Sequence, residues 1–435
     1  MGELKKTTSF VGLAVVMVVV ALVSVPRRTI PDAFFDVGEL FFAEFTDPDT
    51  AATLEVVEWD DQTASALPFA VTNRGGLWTI PSHHDYPADG EERLATAAAD
   101  IINVKKDDFR SDNVADHAAL GVIDPLDNAA TSLDGRGTRI TFKDASEAVL
   151  ADLILGNELT ERPGYRFVRM PGQKRVYAAR FGAETSTAFE DWIETNLLEV
   201  TRSQIDRLVL NEYFIDEGTR RVVRRGEFIL DKLEQDHWAA NRVPSGQEVD
   251  FIQVNLLVGA IVDLKIGGVR PKPAGMTGNL RDAAITGNIT QSDIRTLVSR
   301  GFFPTPEGGL LSNEGELLVR TTEGVRYTLR FGEVVYGRGD AVAVGDGSSD
   351  EQQAGPGENR YVFITAEFDE TGLPEPPQAS DADARASWER RAQDGRDKAE
   401  RLAARFADWY YVIAADSYDR IHKPRGEFLK PLESP

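Results

Sequence analysis

The residues best suited to binding a metal ion in this 435-residue chain are its five histidines. Two are adjacent, in His83-His84-Asp85, while His117, His237 and His422 are far apart in the sequence. Adjacent side chains on an extended segment point to opposite sides, so they rarely bind one ion. A zinc site would therefore require histidines that are distant in the sequence to come together in the fold, and their spacing does not indicate this. We expect surface or hydrogen-bonded histidines, and no metal or cofactor.

Other reactive groups also lack a recognisable arrangement. The chain has no cysteine, which excludes disulfides, thiolate nucleophiles and cysteine-bound zinc. It contains no Gly-x-Ser-x-Gly elbow, no phosphate-binding Gly-x-x-x-x-Gly-Lys and no His-Glu-x-x-His. Any two of the 71 acidic residues could still form a carboxylate pair, so a glycosidase-type hydrolase stays open. The expectation is a protein that is not an enzyme.

One segment stands apart from the rest of the chain: residues 10–25 form an unbroken apolar run. As a helix this run is about 24 Å long, close to the roughly 30 Å of a bilayer core. Leu22 and Val23 crowd the positions where a signal peptidase needs small residues, so we predict an uncleaved signal anchor. The anchor residues are Phe10, Leu13, Val16, Val20, Leu22 and Val25.

The orientation of this anchor follows from its position, because its flanking charges are nearly balanced. Lys5 and Lys6 precede it, and Arg27 and Arg28 follow it. A short N-terminal tail in the cytoplasm is the simplest arrangement, which places the bulk of the chain outside the inner membrane. The opposite orientation stays open. A formal charge of −23 with 42% hydrophobic residues indicates a globular protein that does not bind nucleic acid.

The order of local signals predicts an α+β fold with two tandem modules of antiparallel strands and amphipathic helices. Residues 67–216 and 237–413 share this order, and internal duplication and chance similarity both stay open. The predicted organisation is a cytoplasmic tail and transmembrane anchor at 1–28, a juxtamembrane segment at 29–66, module 1 at 67–216, a connector at 217–236, module 2 at 237–372, and a proline-rich linker with a long C-terminal helix at 373–435.

Particular motifs support the modules. Asn73-Arg-Gly-Gly76 between two alternating runs predicts a hairpin, and Asp89-Gly-Glu-Glu92 predicts a helix start. In module 2, Ser245-Gly-Gln-Glu248 predicts the corresponding helix start. Each module is expected to close on a helix that carries tryptophan, at Trp192 and at Trp409. Residues 336–359 are rich in glycine and acid, which predicts a surface loop.

The C-terminal region predicts one long helix over residues 381–418. Its apolar sites step alternately by four and three, which is a heptad pattern. These sites are Trp388, Ala392, Gly395, Ala399, Leu402, Phe406, Trp409 and Ile413. Packing on the protein's own sheets is favoured over a coiled coil with a partner, because the seam has fewer than four strong heptads.

Candidate contacts to a protein partner come from this helix and from one basic segment. Residues 265–273, KIGGVRPKP, are basic in an acidic chain, and an exposed docking loop and a rigid connection both stay open. The candidate contact residues are Lys265, Arg270, Lys272, Trp388, Phe406 and Trp409. A largely aromatic cluster follows the anchor and consists of Phe34, Phe35, Leu40, Phe41, Phe42 and Phe45. It is expected to lie at the lipid interface or against a membrane partner, or to pack on module 1, which its neighbouring acidic residues favour.

An ordered set of short motifs resembles the bacterial family called domain of unknown function 4340. These motifs are Gly76-Leu-Trp78, Tyr86-Pro-Ala-Asp89, Leu120-Gly121-Val-Ile-Asp-Pro125, Leu155-Gly156 and Val176-Tyr177, downstream of a single N-terminal anchor. The resemblance covers residues 67–216 best. Members of that family accompany ABC transporters of the gliding-motility type as anchored auxiliary proteins. The resemblance therefore implies an extracytoplasmic scaffold or ligand-presenting component, and it supplies no catalytic residues.

These observations lead to one main hypothesis and two alternatives. The main hypothesis is a single-pass, non-enzymatic envelope protein whose modules bind a transporter or another membrane-complex component. The alternatives are an envelope hydrolase with a carboxylate pair and a substrate-binding receptor. The sequence identifies no small-molecule ligand.

Overall fold

The computed structural model describes residues 36–432 except 62, 131, 183–185, 195, 217, 219–220, 234–236, 273–289, 306–308, 336–358 and 379–380. The described chain is mixed α+β and its sheets are antiparallel, which confirms the predicted class. None of its helices is both apolar and long enough to cross a membrane. The predicted anchor and the predicted 336–359 surface loop, apart from Asn359, lie outside the described residues.

The strands are β1 Thr53–Asp60, β2 Ser65–Arg74, β3 Leu77–Ile80, β4 Tyr86–Pro87, β5 Asp108–Ser111, β6 Thr138–Lys143, β7 Val149–Glu158, β8 Tyr165–Arg169, β9 Val176–Arg180, β10 Ile205–Asp216, β11 Arg221–Lys232, β12 Trp238–Ala240, β13 Gln247–Val249, β14 Ile266–Pro271, β15 Phe302–Pro304, β16 Leu310–Ser312, β17 Glu316–Thr321, β18 Val325–Val335, β19 Asn359–Phe368, β20 Trp409–Ile413 and β21 Leu429–Pro431. The α-helices are α1 Glu91–Ile102, α2 His117–Leu120, α3 Phe251–Val262, α4 Gln291–Ser299, α5 Ala382–Ala407 and α6 Ala415–Ile421.

The chain forms two compact units that interleave in sequence. Unit 1 comprises Met1–Pro68 and Arg93–Thr185, and unit 2 comprises Phe69–Glu92 and Ser186–Pro435. The predicted module boundary at 216/217 falls at the tip of the β10–β11 hairpin, inside unit 2. The predicted connector 217–236 contains strand β11.

Unit 1 is an antiparallel sheet covered by a helix. Its strand order is β1-β6-β7-β8-β9-β5. Alternating residues of β6 and β7 point into the core, including Ile140, Phe142 and Leu153, which are fully buried. Helix α1 buries Leu94 and Ile101 on one face, so the predicted helix start at residues 89–92 is confirmed.

Unit 2 is built on an eight-stranded sheet in the order β12-β11-β10-β17-β18-β19-β20-β14. Asp250 begins helix α3, because its side chain accepts hydrogen bonds from the amides of Ile252 and Gln253. The predicted helix start at residues 245–248 is therefore wrong, since part of that stretch is strand β13. The predicted hairpin at Asn73-Arg-Gly-Gly76 is confirmed by the pairing of β2 with β3.

The predicted long C-terminal helix is correct only in its first part. Helix α5 covers Ala382–Ala407 and buries Ala392, Gly395, Ala399, Leu402 and Phe406, which confirms that the seam packs on the protein itself. The helix ends at Asp408, and the next five residues, WYYVI, form strand β20. Aromatic and β-branched residues favour strands, and their heptad spacing was coincidental. The predicted tryptophan helices are also wrong, since Trp409 begins this strand and Trp192 lies in the 3-10 turn Phe189–Trp192.

Replacing Gly395 with alanine should destabilise unit 2, although glycine-to-alanine changes in helices usually stabilise by about 1 kcal/mol. A methyl group at this position would clash with the Glu323 carbonyl oxygen and touch the Phe368 ring at 3.1 Å. We expect Gly395→Ala to lower the free energy of unfolding by about 2 kcal/mol in urea titrations. The matched control is Asp394→Ala at an exposed neighbouring position, where we expect less than about 0.5 kcal/mol. Equal effects of the two substitutions would contradict the packing argument.

Candidate functional site

A groove of about 570 Å3 runs along one edge of strand β10 in unit 2. Strand β10 pairs with β17 up to Asn211 and then continues to Asp216. The chain that precedes β17 instead approaches β18, where the Glu314 amide donates to the Phe331 carbonyl at 3.3 Å. Gly315, which directly precedes β17, packs on the backbone of this part of β10, where a Cβ on it would lie 2.7 Å from the Asn211 carbonyl oxygen and 3.3 Å from the Tyr213 carbonyl oxygen. The groove lies beside residues 210–215 of β10.

A β-bulge directs Arg225 into this groove. The β10–β11 register shifts so that Glu212 pairs with Gly226 and Tyr213 with Arg224, which leaves Arg225 as the extra residue. Gly226 has a φ of 123°, a conformation that glycine adopts without strain. The Arg225 guanidinium lies 5.1 Å from the centre of the Phe214 ring, and both side chains line the groove. Bulges commonly re-aim one side chain next to a functional site.

The three carboxylates along the groove are already held by donors from unit 2. Glu212 accepts from the Arg425 amide at 2.9 Å. Glu316 accepts from the Asn211 side chain at 2.9 Å and lies 3.2 Å from Arg330 Nε. Glu314 lies 3.5 Å from the Arg360 guanidinium. Carboxylates fixed in this way serve as structural ion pairs, which gives the hydrolase alternative no support.

The opposite wall of the groove is the segment that follows helix α6. The His422 ring stacks on Tyr418, with the ring centres 4.7 Å apart, and its Nε2 lies 2.9 Å from the Glu314 carbonyl oxygen. Burial lowers the pKa of His422, although the Glu314 carbonyl acts in the other direction. Lys423 forms an ion pair with Glu427 at 3.0 Å. This wall is therefore held by contacts within unit 2.

The lining of the groove combines apolar side chains, such as Leu210 and Ile421, with polar groups. The Asn313 Oδ1 atom is buried there without a hydrogen-bond partner among the described residues. Arg225 also lines the groove; it is exposed, and within the described residues it forms no ion pair.

The basic segment is neither of the two forms that the sequence left open. Residues 266–271 form strand β14, which pairs with β20. Arg270 and Lys272 are buried, and only Lys265 is exposed. An exposed loop and a rigid connection are therefore both wrong. Ile266, Gly268, Val269 and Arg270 are buried in this strand.

Lys272 has a structural role at the end of helix α5. Its amide donates to the Asp408 carbonyl at 2.7 Å and its ammonium group to the Phe406 carbonyl at 2.8 Å. The ammonium group also lies 3.8 Å from the centre of the Phe363 ring. Burial lowers the pKa of Lys272 to about 7. Lys272 thus satisfies carbonyl groups that the end of the helix leaves without partners.

The remaining candidate contacts differ in exposure. Phe406 is buried beside Tyr411, with the ring centres 5.9 Å apart. Trp388 is half-buried and its indole donates to the Pro374 carbonyl at 2.8 Å. Trp409 is half-buried against the Tyr86 ring. Of the six candidates, only Lys265, Trp388 and Trp409 present surface to a partner, and their role stays a prediction.

The histidine pair does not form a metal site in the part of the chain that the structure describes, where no three His, Asp or Glu residues converge. His83 is buried and stacks on Phe189, with the ring centres 4.4 Å apart. Its Nδ1 lies 3.0 Å from the Ser82 hydroxyl, while Nε2 is buried without a hydrogen-bond partner. Burial, followed by the positive charge of Arg270, lowers the pKa of His83 to about 4.

Sequence reasoning missed a buried polar cluster in unit 1. Asp36 is 5% exposed and accepts hydrogen bonds from the Tyr177 hydroxyl at 2.5 Å and from Lys106 at 3.1 Å. Arg175 lies 3.6 Å from the same carboxylate. Burial alone would raise the pKa of Asp36, but the two hydrogen bonds outweigh burial and hold it below its usual value. No local spacing indicates this cluster, because its members are up to 141 residues apart.

The Asp36 cluster fixes the chain that follows the predicted anchor. The Gly38 amide donates to the Lys106 carbonyl at 2.8 Å, and the Phe41 amide to the Val104 carbonyl at 3.0 Å. Phe41, Phe42 and Phe45 are buried, which confirms for these three residues the expected packing on the folded protein. Phe34 and Phe35 lie outside the described residues.

Replacing Tyr177 with phenylalanine should loosen residues 36–45. Losing one hydrogen bond to a buried carboxylate costs about 2 kcal/mol, which corresponds to about thirty-fold faster local amide exchange. Hydrogen-exchange mass spectrometry on the full chain measures this directly. Tyr165→Phe, at a ring that packs against Arg162 in the same unit, is the matched control. Unchanged exchange in residues 36–45 of the Tyr177 variant would show that the hydroxyl does not hold this segment.

The fold defines a two-unit α+β protein whose larger unit carries a groove beside strand β10. The family model described as domain of unknown function (DUF4340) matches residues 78–279, which confirms the resemblance over that stretch. Associations of the family with transporters are not part of this match.

One curated protein with a similar sequence is the protein translocase subunit SecA of Campylobacter curvus (strain 525.92). The two sequences are 30% identical over 146 residues, which is 33% of this chain and 16% of the translocase subunit. The chain therefore spans only a small part of that relative, and the similarity does not extend to the translocase as a whole. No solved structure matches this chain.

Proposed function

We propose that this protein is a non-enzymatic, single-pass auxiliary protein of the cell envelope. In this proposal residues 10–25 anchor it in the inner membrane, and units 1 and 2 act outside the cytoplasm as a scaffold for a membrane complex, of the ABC-transporter type that the family resemblance implies. The supporting observation is the Asp36 cluster. Asp36 lies only 11 residues after Val25, and a chain of that length spans at most about 40 Å when extended. Unit 1 would thus be held close to the bilayer.

A rigid, membrane-proximal platform fits a scaffold better than a freely tethered domain. Asp36, Lys106, Arg175 and Tyr177 form a buried network that connects residues 36–45 to strand β9 and to the segment after helix α1. Breaking one partner of such a network leaves an uncompensated buried charge, so the attachment is firm. The short link and the firm attachment together would restrict how far unit 1 moves from the lipid.

Extraction of membranes with carbonate tests the anchor. The full chain should stay in the membrane pellet, and a variant with Val16→Arg and Val20→Arg should be released, because charged residues at the centre of a spanning helix are costly. Release of the unmodified chain would overturn the anchor. For orientation, a single cysteine placed at Leu77, which is 58% exposed, provides a unique label in this cysteine-free chain. Labelling by a membrane-impermeant maleimide before lysis is expected; labelling only after lysis would reverse the topology.

Purification from native membranes in mild detergent tests the scaffold role. We expect a transporter permease or ATPase to co-purify with the chain in fixed ratio. A chain recovered alone at native expression would count against the scaffold proposal while leaving the anchor intact.

A further inference from the structure

We infer that the groove beside β10 binds a small zwitterion with an apolar substituent, which is the chemistry of a free apolar amino acid or of a short apolar peptide with free termini. The groove has a volume of about 570 Å3, within the range of sites that hold small molecules. Its lining residues all belong to unit 2. The inference goes beyond the scaffold proposal, because it gives the protein a ligand and does not depend on the anchor.

Two charged side chains on the paired strands β10 and β11 line the groove without a partner of opposite charge. Among the described residues, the Glu212 carboxylate accepts only from the uncharged main-chain amide of Arg425, at 2.9 Å. The Arg225 guanidinium contacts the Phe214 ring, and no carboxylate of the described chain forms an ion pair with it. Glu212 pairs with Gly226, the residue after Arg225, so the two charged residues are neighbours across the hairpin. The groove therefore offers one anionic and one cationic contact close together.

The other fixed charges of the groove are already compensated. Glu314, Glu316 and Lys423 each lie within 3.5 Å of an oppositely charged side chain of unit 2. A ligand with a single charge would leave either Glu212 or Arg225 unmatched, whereas an ammonium and a carboxylate on one molecule match both. Each contact would be a charge-assisted hydrogen bond, which is roughly twice as strong as a neutral one.

The apolar part of the lining favours a ligand with an apolar substituent. Leu210, Leu317 and Ile421 line the groove and are at most 6% exposed. Phe214 and Ile215 also line it and are half-buried. Transfer of an apolar group from water to such a lining is favourable. Glycine has both charges but no side chain, so it should bind more weakly than leucine.

Isothermal titration calorimetry on the full chain in nanodiscs tests the site, with L-leucine and dileucine as the probes. We expect at least one of them to bind saturably with a Kd below about 1 mM. N-acetylleucine lacks the ammonium group, leucinamide lacks the carboxylate, and glycine lacks the apolar group. Each should bind at least about ten-fold more weakly than leucine, as expected for the loss of one close contact. The tighter of the two probes decides between a free amino acid and a short peptide.

Substitutions connect each charge of the ligand to one side chain. Arg225→Gln should weaken leucine binding about ten-fold and leave leucinamide binding unchanged, because leucinamide has no carboxylate to lose. Glu212→Gln, which keeps an acceptor for the Arg425 amide, should weaken leucine binding similarly and leave N-acetylleucine binding unchanged. Arg224→Gln and Glu227→Gln are the matched controls, since both residues are exposed on β11 and neither lines the groove. Both controls should bind leucine as the unmodified chain does.

The absence of saturable binding of both probes up to about 10 mM would overturn the inference. Equal losses of leucine affinity in Arg225→Gln and Arg224→Gln, or in Glu212→Gln and Glu227→Gln, would also overturn it. Failure of this site and failure of the scaffold proposal are distinguishable. A chain that co-purifies with a permease or ATPase but binds neither probe overturns the site alone, and a chain that binds leucine but is recovered alone overturns the scaffold alone.

Discussion

Unit 2 should become more stable by about 3 kcal/mol between pH 7 and pH 9.5, and Lys272→Met should remove most of this gain. Burial lowers the pKa of Lys272 from 10.5 to about 7 in the folded protein. Between these two values the unfolded chain binds a proton that the folded chain does not. Stability therefore rises with pH in this window, at up to about 1.4 kcal/mol per pH unit.

The sign of this effect distinguishes Lys272 from the buried tyrosines. Burial raises the pKa of Tyr327, Tyr410 and Tyr411, so these groups lower stability as the pH approaches and passes 10, where the unfolded chain loses its tyrosine protons first. They do so equally in the unmodified chain and in Lys272→Met, so the difference between the two pH profiles isolates the lysine. Methionine fills a similar volume to lysine without a charge. The substitution also removes the hydrogen bond from Lys272 to the Phe406 carbonyl, and the stability lost in this way is the same at every pH.

Urea unfolding followed by tryptophan fluorescence measures this prediction, because five of the six tryptophans are in unit 2. The control is Lys265→Met, which removes an exposed lysine from the same strand region. That variant should keep the rise with pH. An equal pH dependence in the unmodified chain and in Lys272→Met would show that the Lys272 ammonium group stays charged in the folded state.

Features fixed by neighbouring residues could be predicted from the sequence, and features fixed by distant ones could not. The β2–β3 hairpin depends on the turn Asn73-Arg-Gly-Gly76, in which Gly75 and Gly76 have positive φ. Such a turn needs only local chemistry. The end of helix α5 could not be predicted, because the residues WYYVI fit a heptad pattern and a strand pattern equally. They form a strand because they pair with β14 and β19, which are distant in the sequence.

The groove itself could not be predicted, because it results from a difference in length between two strands that are about a hundred residues apart. Asn211 and Glu316 mark the point where their pairing stops. The bulge that directs Arg225 did leave a signal, which is Gly226 inside an otherwise continuous strand pattern. A glycine in such a position indicates a bulge. The prediction of a connector over residues 217–236 did not take account of this glycine.

Replacing His83 with phenylalanine should protect unit 2 against acid. The unmodified chain should lose about 2.5 kcal/mol of stability through this residue between pH 7 and pH 4.5. Burial lowers the pKa of His83 from 6.5 to about 4. Between these two pH values the unfolded chain therefore binds a proton that the folded chain does not bind. The stability contribution is present above pH 6.5 and is lost as the pH falls towards 4.

The surroundings of His83 explain why phenylalanine is the suitable replacement. The ring is 1% exposed, lies parallel to Phe189 with an angle of 9° between the planes, and meets the edge of Phe69. An aromatic hydrocarbon keeps this stacking and removes the buried Nε2, which has no hydrogen-bond partner. The substitution does remove the hydrogen bond between Nδ1 and the hydroxyl of Ser82, a half-buried residue.

The measurement is a set of urea titrations at pH 7, 6, 5 and 4.5 on the full chain. His422, whose pKa burial also lowers, adds to the loss in acid, but it does so equally in both proteins. The difference between the two pH profiles therefore belongs to His83. An equal acid profile for His83→Phe and the unmodified chain would contradict this prediction. It would mean that the imidazole between Phe69 and Phe189 binds a proton as readily as it does in the unfolded chain.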